Sequence, residues 1–223
     1  GLYLVFSDAT LSGNTVTAND GRGLLLSHSN ATLSGNTVTA NDGGGLMLGN
    51  SSDATLTNNV VADNQATTAG SGLYIYLKLF HFLLNNKARN GGGDGSGVYI
   101  TDLGSDYSTV TMTNTIIVSH TVGVALTGNN SAAFDATLWH GNGTDFSGNV
   151  IHTNDHSGDP AFAADGYHLT ATSAAIDKGV KAGMTADIDG QMRPWGAGYD
   201  IGADEYGSIV PRRLYLPLAL HKR

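Results

Sequence analysis

Two groups of side chains in this chain of 223 residues have types and spacings that chemistry could use. The first is acidic: Asp187 and Asp189 open a D-x-D-G run, and Asp200, Asp204 and Glu205 follow. Alternate carboxylates before a glycine can wrap a hard cation, so calcium is the ion this spacing suits. The pattern is incomplete, since neither a third alternate carboxylate nor a glutamate at the twelfth position follows. Arg193 supplies a simpler partner, a guanidinium that would lock the terminal turns by pairing with Asp200 or Glu205. That structural lock is the preferred reading, with calcium at Asp187 and Asp189 as its alternative.

The second group lies beside glycine turns. Asp20 and Asp42 recur there, Asp63 falls one position out of register, and Arg22 and Arg89 are close by. Paired carboxyls could cleave a glycosidic bond, but only at a defined separation. No compact Asp-Asp-Arg cluster is visible, and Asp is a common turn-former. The histidines lack the spacing of a zinc site; His152 and His156 are four apart, but in a Gly/Asn/Asp-rich stretch that does not read as helix. No catalytic residue is assigned, and no cofactor beyond calcium is suggested.

These groups need elements to hold them, and the composition limits which. Charged residues are 13 % of the chain, glycine fills 31 positions and proline only 4. Gly, Asn, Thr and Ser stand where an ordinary helical surface would carry Lys and Glu, which points to short strands and tight turns. The net charge of −8 disfavours nucleic acid as a partner. Cysteine is absent, so thiolate sites and disulfides are excluded. The most apolar run, Leu73 to Leu84, is interrupted by Lys78 and His81 and is too short for a membrane-spanning helix.

A repeat organises the rest. Residues Ala9 to Gly21, ATLSGNTVTANDG, recur identically as Ala31 to Gly43, and a looser copy begins at Ala54. Each leads into a glycine and a short apolar strand, at Gly23, Gly45, Gly72, Gly97 and Gly123, with Gly1 opening the same strand one coil earlier. The apolar residues alternate, as strands require, instead of following a helical period. Coils of this length with two or three short strands define a β-solenoid. Lys78 to Arg89 fits least well and has no account from sequence.

Two ladders follow from the register. Asn14, Asn36 and Asn59 share one position, and Asn19, Asn41, Asn64 and Asn90 share another. Stacked parallel coils place such residues about 4.8 Å apart, where their amides can bond to one another. His120 occupies the next Asn position, so the ladder is expected to end there. In the glycine-led strands the middle residue should face outward: Tyr3, Leu25, Met47, Tyr74, Tyr99 and Ala125. Tyr3, Tyr74 and Tyr99 are therefore candidate platforms for sugar rings. The competing reading has this stripe covered by the C-terminal segment or a partner.

The repeat text, N-T-V-T-x-N-D-G-G-G-L-x-L and its copies, resembles the right-handed parallel β-helix proteins of bacterial surfaces, including pectate-lyase-like groups. Further on, GDPAF (158–162), YHLTATSAAIDKG (167–179), DIDGQMRP (187–194) and YDIGADEY (199–206) resemble the end region of β-helix proteins with a choice-of-anchor domain. The resemblance implies an all-β, single-stranded, right-handed parallel β-helix of five or six coils. It also implies a secreted or cell-surface location and a polysaccharide or cell-surface glycan as partner.

The expected organisation is coils over residues 1–128, irregular coils and a cap over 129–210, and an extended tail over 211–223. Because the chain opens inside a repeat, it is expected to continue a longer protein and to carry an open N-terminal edge suited to edge-to-edge contact. The leading function is a stalk or adhesion module meeting glycans. A polysaccharide lyase or glycoside hydrolase, and a purely structural spacer, are the alternatives.

Overall fold

The computed structural model describes residues 1–50, 52, 54–66, 72–76, 80–84, 87–90, 96–102 and 107–208, with backbone alone for 80–84 and 87–90. The tail at 211–223 and the residues at 78 and 79 lie outside this set. In chain order the first strands are β1 (Leu2–Val5), β2 (Thr10–Ser12), β3 (Thr15–Thr17), β4 (Leu24–Ser27), β5 (Thr32–Ser34) and β6 (Thr37–Thr39). Next come β7 (Leu46–Gly49), β8 (Thr55–Thr57), β9 (Val60–Asn64), β10 (Leu73–Tyr76), β11 (Phe80–Leu84), β12 (Lys87–Asn90) and β13 (Ser96–Thr101). The last are β14 (Thr109–Val118), β15 (Val122–Leu126), β16 (Ser131–His140), β17 (Thr144–Ser147), β18 (Val150–Thr153) and β19 (His156–Ser157).

These strands wind into an all-β parallel solenoid of about six turns. The glycine-led strands form one sheet in the order β1-β4-β7-β10-β13-β15-β17. A second sheet has two arms, β2-β5-β8-β11 and β3-β6-β9-β12, joined where the longer β14 runs through both. The repeat sets the register directly: Leu24 faces Leu46, Leu33 faces Leu56 and Val38 faces Val61. Leu26, Leu48, Ile75 and Ile100 are fully buried between the sheets. Burying each such side chain stabilises the fold by roughly 1.5–3 kcal/mol.

Among the described residues, two corners of the coils have a left-handed backbone, in register from turn to turn. One corner holds Gly13, Gly35, Asn58, Asn114 and Ala136, and another Ala18, Ala40, Asp63, Ser119 and Gly141. This explains why Asp63 looked displaced: it takes the corner position of Ala18 and Ala40, leaving Asn64 in the ladder. An alanine at positive φ is strained by its Cβ. In the early coils the asparagine that follows each corner bonds along the stack, which holds that backbone in place.

The strand-opening glycines have a related cause. A Cβ on Gly23 would lie 2.7 Å from Nδ2 of Asn41, and one on Gly45 equally close to Nδ2 of Asn64. In these coils, and at Gly97 with His120, the side chain of the row thus occupies the space above the coil's own glycine.

The regular coils run past residue 128. Strand β16 pairs with β14 over nine residues, and β17, β18 and β19 add short pairings of a following turn. Trp139 packs edge-on against Phe134 and beside Phe146, which fills the core at this end. Residues 158–208, expected to cap the stack, lie along its side instead. Their Leu169, Ala175 and Ile201 pack on the outer face of Ile116, Val118, Ala136 and Leu138, and Ala203 packs on Val60 and Ala62. Asn58 donates to the Ala186 carbonyl at 2.8 Å, and Asn114 both donates to and accepts from Val180. In the earlier coils those outer positions are Thr15, Thr37 and Thr39, so threonine yields to Val, Ile and Leu where the segment docks. Among the described residues, no helix is long and apolar enough to cross a membrane.

Candidate functional site

The asparagines form continuous rungs. The Asn14 amide donates to Oδ1 of Asn36 and that of Asn36 to Oδ1 of Asn59, each at 3.0 Å. In the second row Asn19 donates to Asn41 at 2.6 Å and Asn41 to Asn64 at 2.8 Å. Backbone amides join in, since Asn36 N and Asn41 N donate to the same oxygens. Asn90 lies in β12, with its backbone paired to Asn64 after a register shift. The row does not end at His120. Its backbone N–H donates to Oδ1 of Asn142, and Asn142 donates to the Ile117 carbonyl, so an asparagine returns one turn later. A third row was missed: Ser7 N donates to Ser29 Oγ, and Ser29 N to Ser52 Oγ. Serine at the third corner was its only signal.

The acidic residues fall in the side-docked segment, where they collect backbone amides. Asp187 accepts from the amides of Asp189, Gln191 and Glu205, and Asp200 from those of Asp177 and Tyr206. Glu205 accepts from Trp195 and Asp200, and Asp204 from Leu169. The Arg193 guanidinium sits among them, its Nε 2.9 Å from Oε2 of Glu205 with both side chains at 0 % exposure. This contact is an ion pair without hydrogen-bond alignment. The remaining nitrogens donate to the carbonyls of Gly202 and Asp200. Arg193 therefore meets Asp200 through its backbone, while the Asp200 carboxylate serves other amides. Burial pushes all four acids above the usual carboxylate range, against the pull of the amides they bind.

Asp189 has a different partner. His168 is held between two carboxylates, 2.5 Å from Asp165 at Nδ1 and 2.6 Å from Asp189 at Nε2. Burial alone would lower its pKa, but the hydrogen bonds to Asp165 and Asp189 outweigh it and raise the value to about 9. Asp165 falls to about 2 through its bonds to the His168 ring and to the amides of Tyr167 and His168, which overcome its own desolvation. Ligating atoms of His168, Asp189 and Asp204 lie within 4.8 Å of one another. A cation there would have to displace the proton that now joins His168 to Asp189. Asp187 spends its oxygens on amides, so the D-x-D-G pair does not converge.

The outward column of the glycine-led sheet runs Tyr3, Leu25, Met47, Tyr74, Tyr99, Ala125 in strict register. Tyr3 is 62 % exposed. Leu25 and Met47 separate it from the other tyrosines, so the structure does not bring Tyr3 to them. Tyr74 and Tyr99 are neighbours, with ring centroids 5.3 Å apart, and Tyr76 meets Tyr74 edge-on at 5.9 Å. Tyr76 follows Tyr74 by two residues on the same face, a spacing that could have marked it. Its ring covers Gly49, where an added Cβ would lie 2.1 Å from the ring. Arg22 reaches across from an earlier coil, 5.5 Å above the Tyr74 ring. The residue aligned with Arg22 in the intervening coil is Gly44, which has no side chain to block it. Desolvation raises the Tyr74 phenol above its ordinary value, so it stays protonated and able to donate.

A parallel solenoid with in-register polar rows and a side-packed terminal segment defines the class. The family model for the right-handed β-helix region matches residues 1–151, and the chain belongs to that family. Comparison with curated proteins and with solved structures gave no match.

Proposed function

We propose that this chain is a secreted or surface-attached β-helix module, a rigid stalk or adhesion element that meets glycans through its tyrosine-bearing sheet. One observation carries the reading. Residues 158–208 dock on the outer face of the second sheet, while Tyr74 and Tyr99 stay half-exposed beside Tyr76 on the other. Clustered rings on a rigid, flat strand array offer sugars an apolar face with hydroxyls at its rim. The choice-of-anchor resemblance of the terminal motifs supports a location outside the cell. Against the alternative of a lyase or glycosidase stands the use of the clustered carboxylates, which are buried and occupied by amides.

Binding of the chain to a panel of soluble polysaccharides by affinity electrophoresis tests this. Tyr74→Ala and Tyr99→Ala should each weaken retardation about tenfold (the loss of one stacked ring), whereas Thr39→Ala on the opposite sheet should not. Product release from any polysaccharide, or retardation indifferent to both tyrosines, would overturn it.

A further inference from the structure

The tyrosine cluster carries a feature that a neutral sugar platform does not need. Arg22 is half-buried, and its Nη1 lies out of contact with water and without a hydrogen-bond partner. Among the described residues no carboxylate pairs with it, although the chain carries 19 acidic residues and a net charge of −8. A guanidinium keeps its charge at any working pH and offers five donors in one plane. Removing such a group from water without an acceptor costs free energy that an aromatic face returns only in part. The chain at Arg22 is closely packed. Its backbone stacks closely on the next coil, where a Cβ at Gly43 would lie 2.7 Å from the Arg22 nitrogen. The Tyr74 ring underlies its plane. A poorly solvated, unpaired cation beside a sugar-sized aromatic surface is complementary to an anion on the ligand.

We propose that Arg22, Tyr74, Tyr76 and Tyr99 form one saccharide subsite, and that its sugar bears an anionic group, a carboxylate or a sulfate ester, against the Arg22 guanidinium. This rests on the glycan-binding reading and adds the charge class of the ligand. The rings take the apolar face of the sugar, the Tyr74 hydroxyl donates at its rim, and Arg22 selects for charge.

The test titrates the whole chain by calorimetry with three polymers: polygalacturonate as the carboxylate, a sulfated galactan as the sulfate ester, and an unsubstituted galactan. At low salt at least one anionic polymer should bind about tenfold more tightly than the neutral one, and added NaCl should shrink that ratio. Arg22→Met should bring the ratio close to one. Arg22→Lys should leave an intermediate ratio, because it keeps charge but loses the planar fork. Preference for polygalacturonate alone or for the sulfated polymer alone identifies the anion. Equal wild-type affinity for all three, or a ratio unchanged in Arg22→Met and unmoved by salt, would overturn the inference while leaving the platform standing. Failure to bind any of them would sink the platform as well. Thermal melts show whether each variant is folded, and the wild-type salt titration decides the question even if Arg22→Met is not.

Discussion

The stack of coils and the segment lying on its side solve the same problem with opposite chemistry. Both must satisfy backbone groups at turns that no ladder of strands reaches. In the coils Asn36, Asn41, Asn59 and Asn64 do this with neutral amides, each bonding to the turn above or below. Residues 158–208 have no translated copy of themselves to bond with. They use Asp187, Asp200, Asp204 and Glu205 to gather several amides apiece, and Arg193 to offset the charge. Repetition thus removes the need for buried charge. Where repetition stops, buried charge organises the chain, and stability there becomes sensitive to pH and to single substitutions.

The largest test of that contrast removes the buried cation of this segment. Arg193→Met leaves the buried Glu205 carboxylate without its ion-pair partner, and breaking such a pair costs about 3–5 kcal/mol. Urea unfolding should then show the segment released in an early transition, with the coils melting later and nearly unchanged. A single coincident transition would mean the two regions are one cooperative unit.

Breaking a rung should cost less and act on the other region. Asn41→Ala removes the side-chain donor to Oδ1 of Asn64, which keeps the Asn41 backbone N–H, and leaves the Asn19 amide without its acceptor, a loss of about 1–3 kcal/mol. The late transition should move and the early one should not.

A pH series sharpens the contrast further. The four buried acids have raised values, so their favourable contribution is complete below their ordinary range near pH 4 and is lost as pH rises through the raised values. His168 acts in the same sense: its contribution is complete below about 6.5 and disappears as pH rises through about 9. Asp165 opposes them only in strong acid, where its contribution is lost as pH falls from about 4 through about 2. The early transition should therefore weaken as pH rises from about 6.5 to about 9, and His168→Gln should flatten that decline. The late transition, built on amides, should stay level across the same range.

The smallest expected effect is that of calcium. With Asp187 occupied by amides and Asp189 by His168, millimolar calcium should move the early melting temperature by less than about 1 °C. A saturable rise that is abolished in Asp189→Asn would instead assign an ion to the His168, Asp189 and Asp204 corner.

The solenoid was legible because its determinants repeat. The identical thirteen-residue copies put Asn14 over Asn36 and Leu25 over Met47, so the rungs and the outward column follow from counting. The opposition of Arg193 and Glu205 was legible from charge and spacing as well. Less visible were the left-handed corners at Ala18 and Ala40, since alanine carries no turn signal. The expectation that the row ends at His120 fails because a histidine carries no amide signal, although Asn142 follows at the regular interval of 22 residues. Tyr3 shares a column with Tyr74, but the distance between them comes from the two intervening coils.

By itself the sequence determined the period, the parallel register, the inward and outward faces, and the rows of asparagine. Each of these is set by local alternation and by contact between neighbouring, nearly identical coils. Tertiary structure alone decided where residues 158–208 lie, which carboxylates they bury, and that Arg22 reaches Tyr74 two coils away. Val60, Ile116 and Leu138 do mark the docking face by replacing threonine. An apolar outward residue says only that something covers it, and the covering segment is chosen by the fit of two surfaces that no repeat relates.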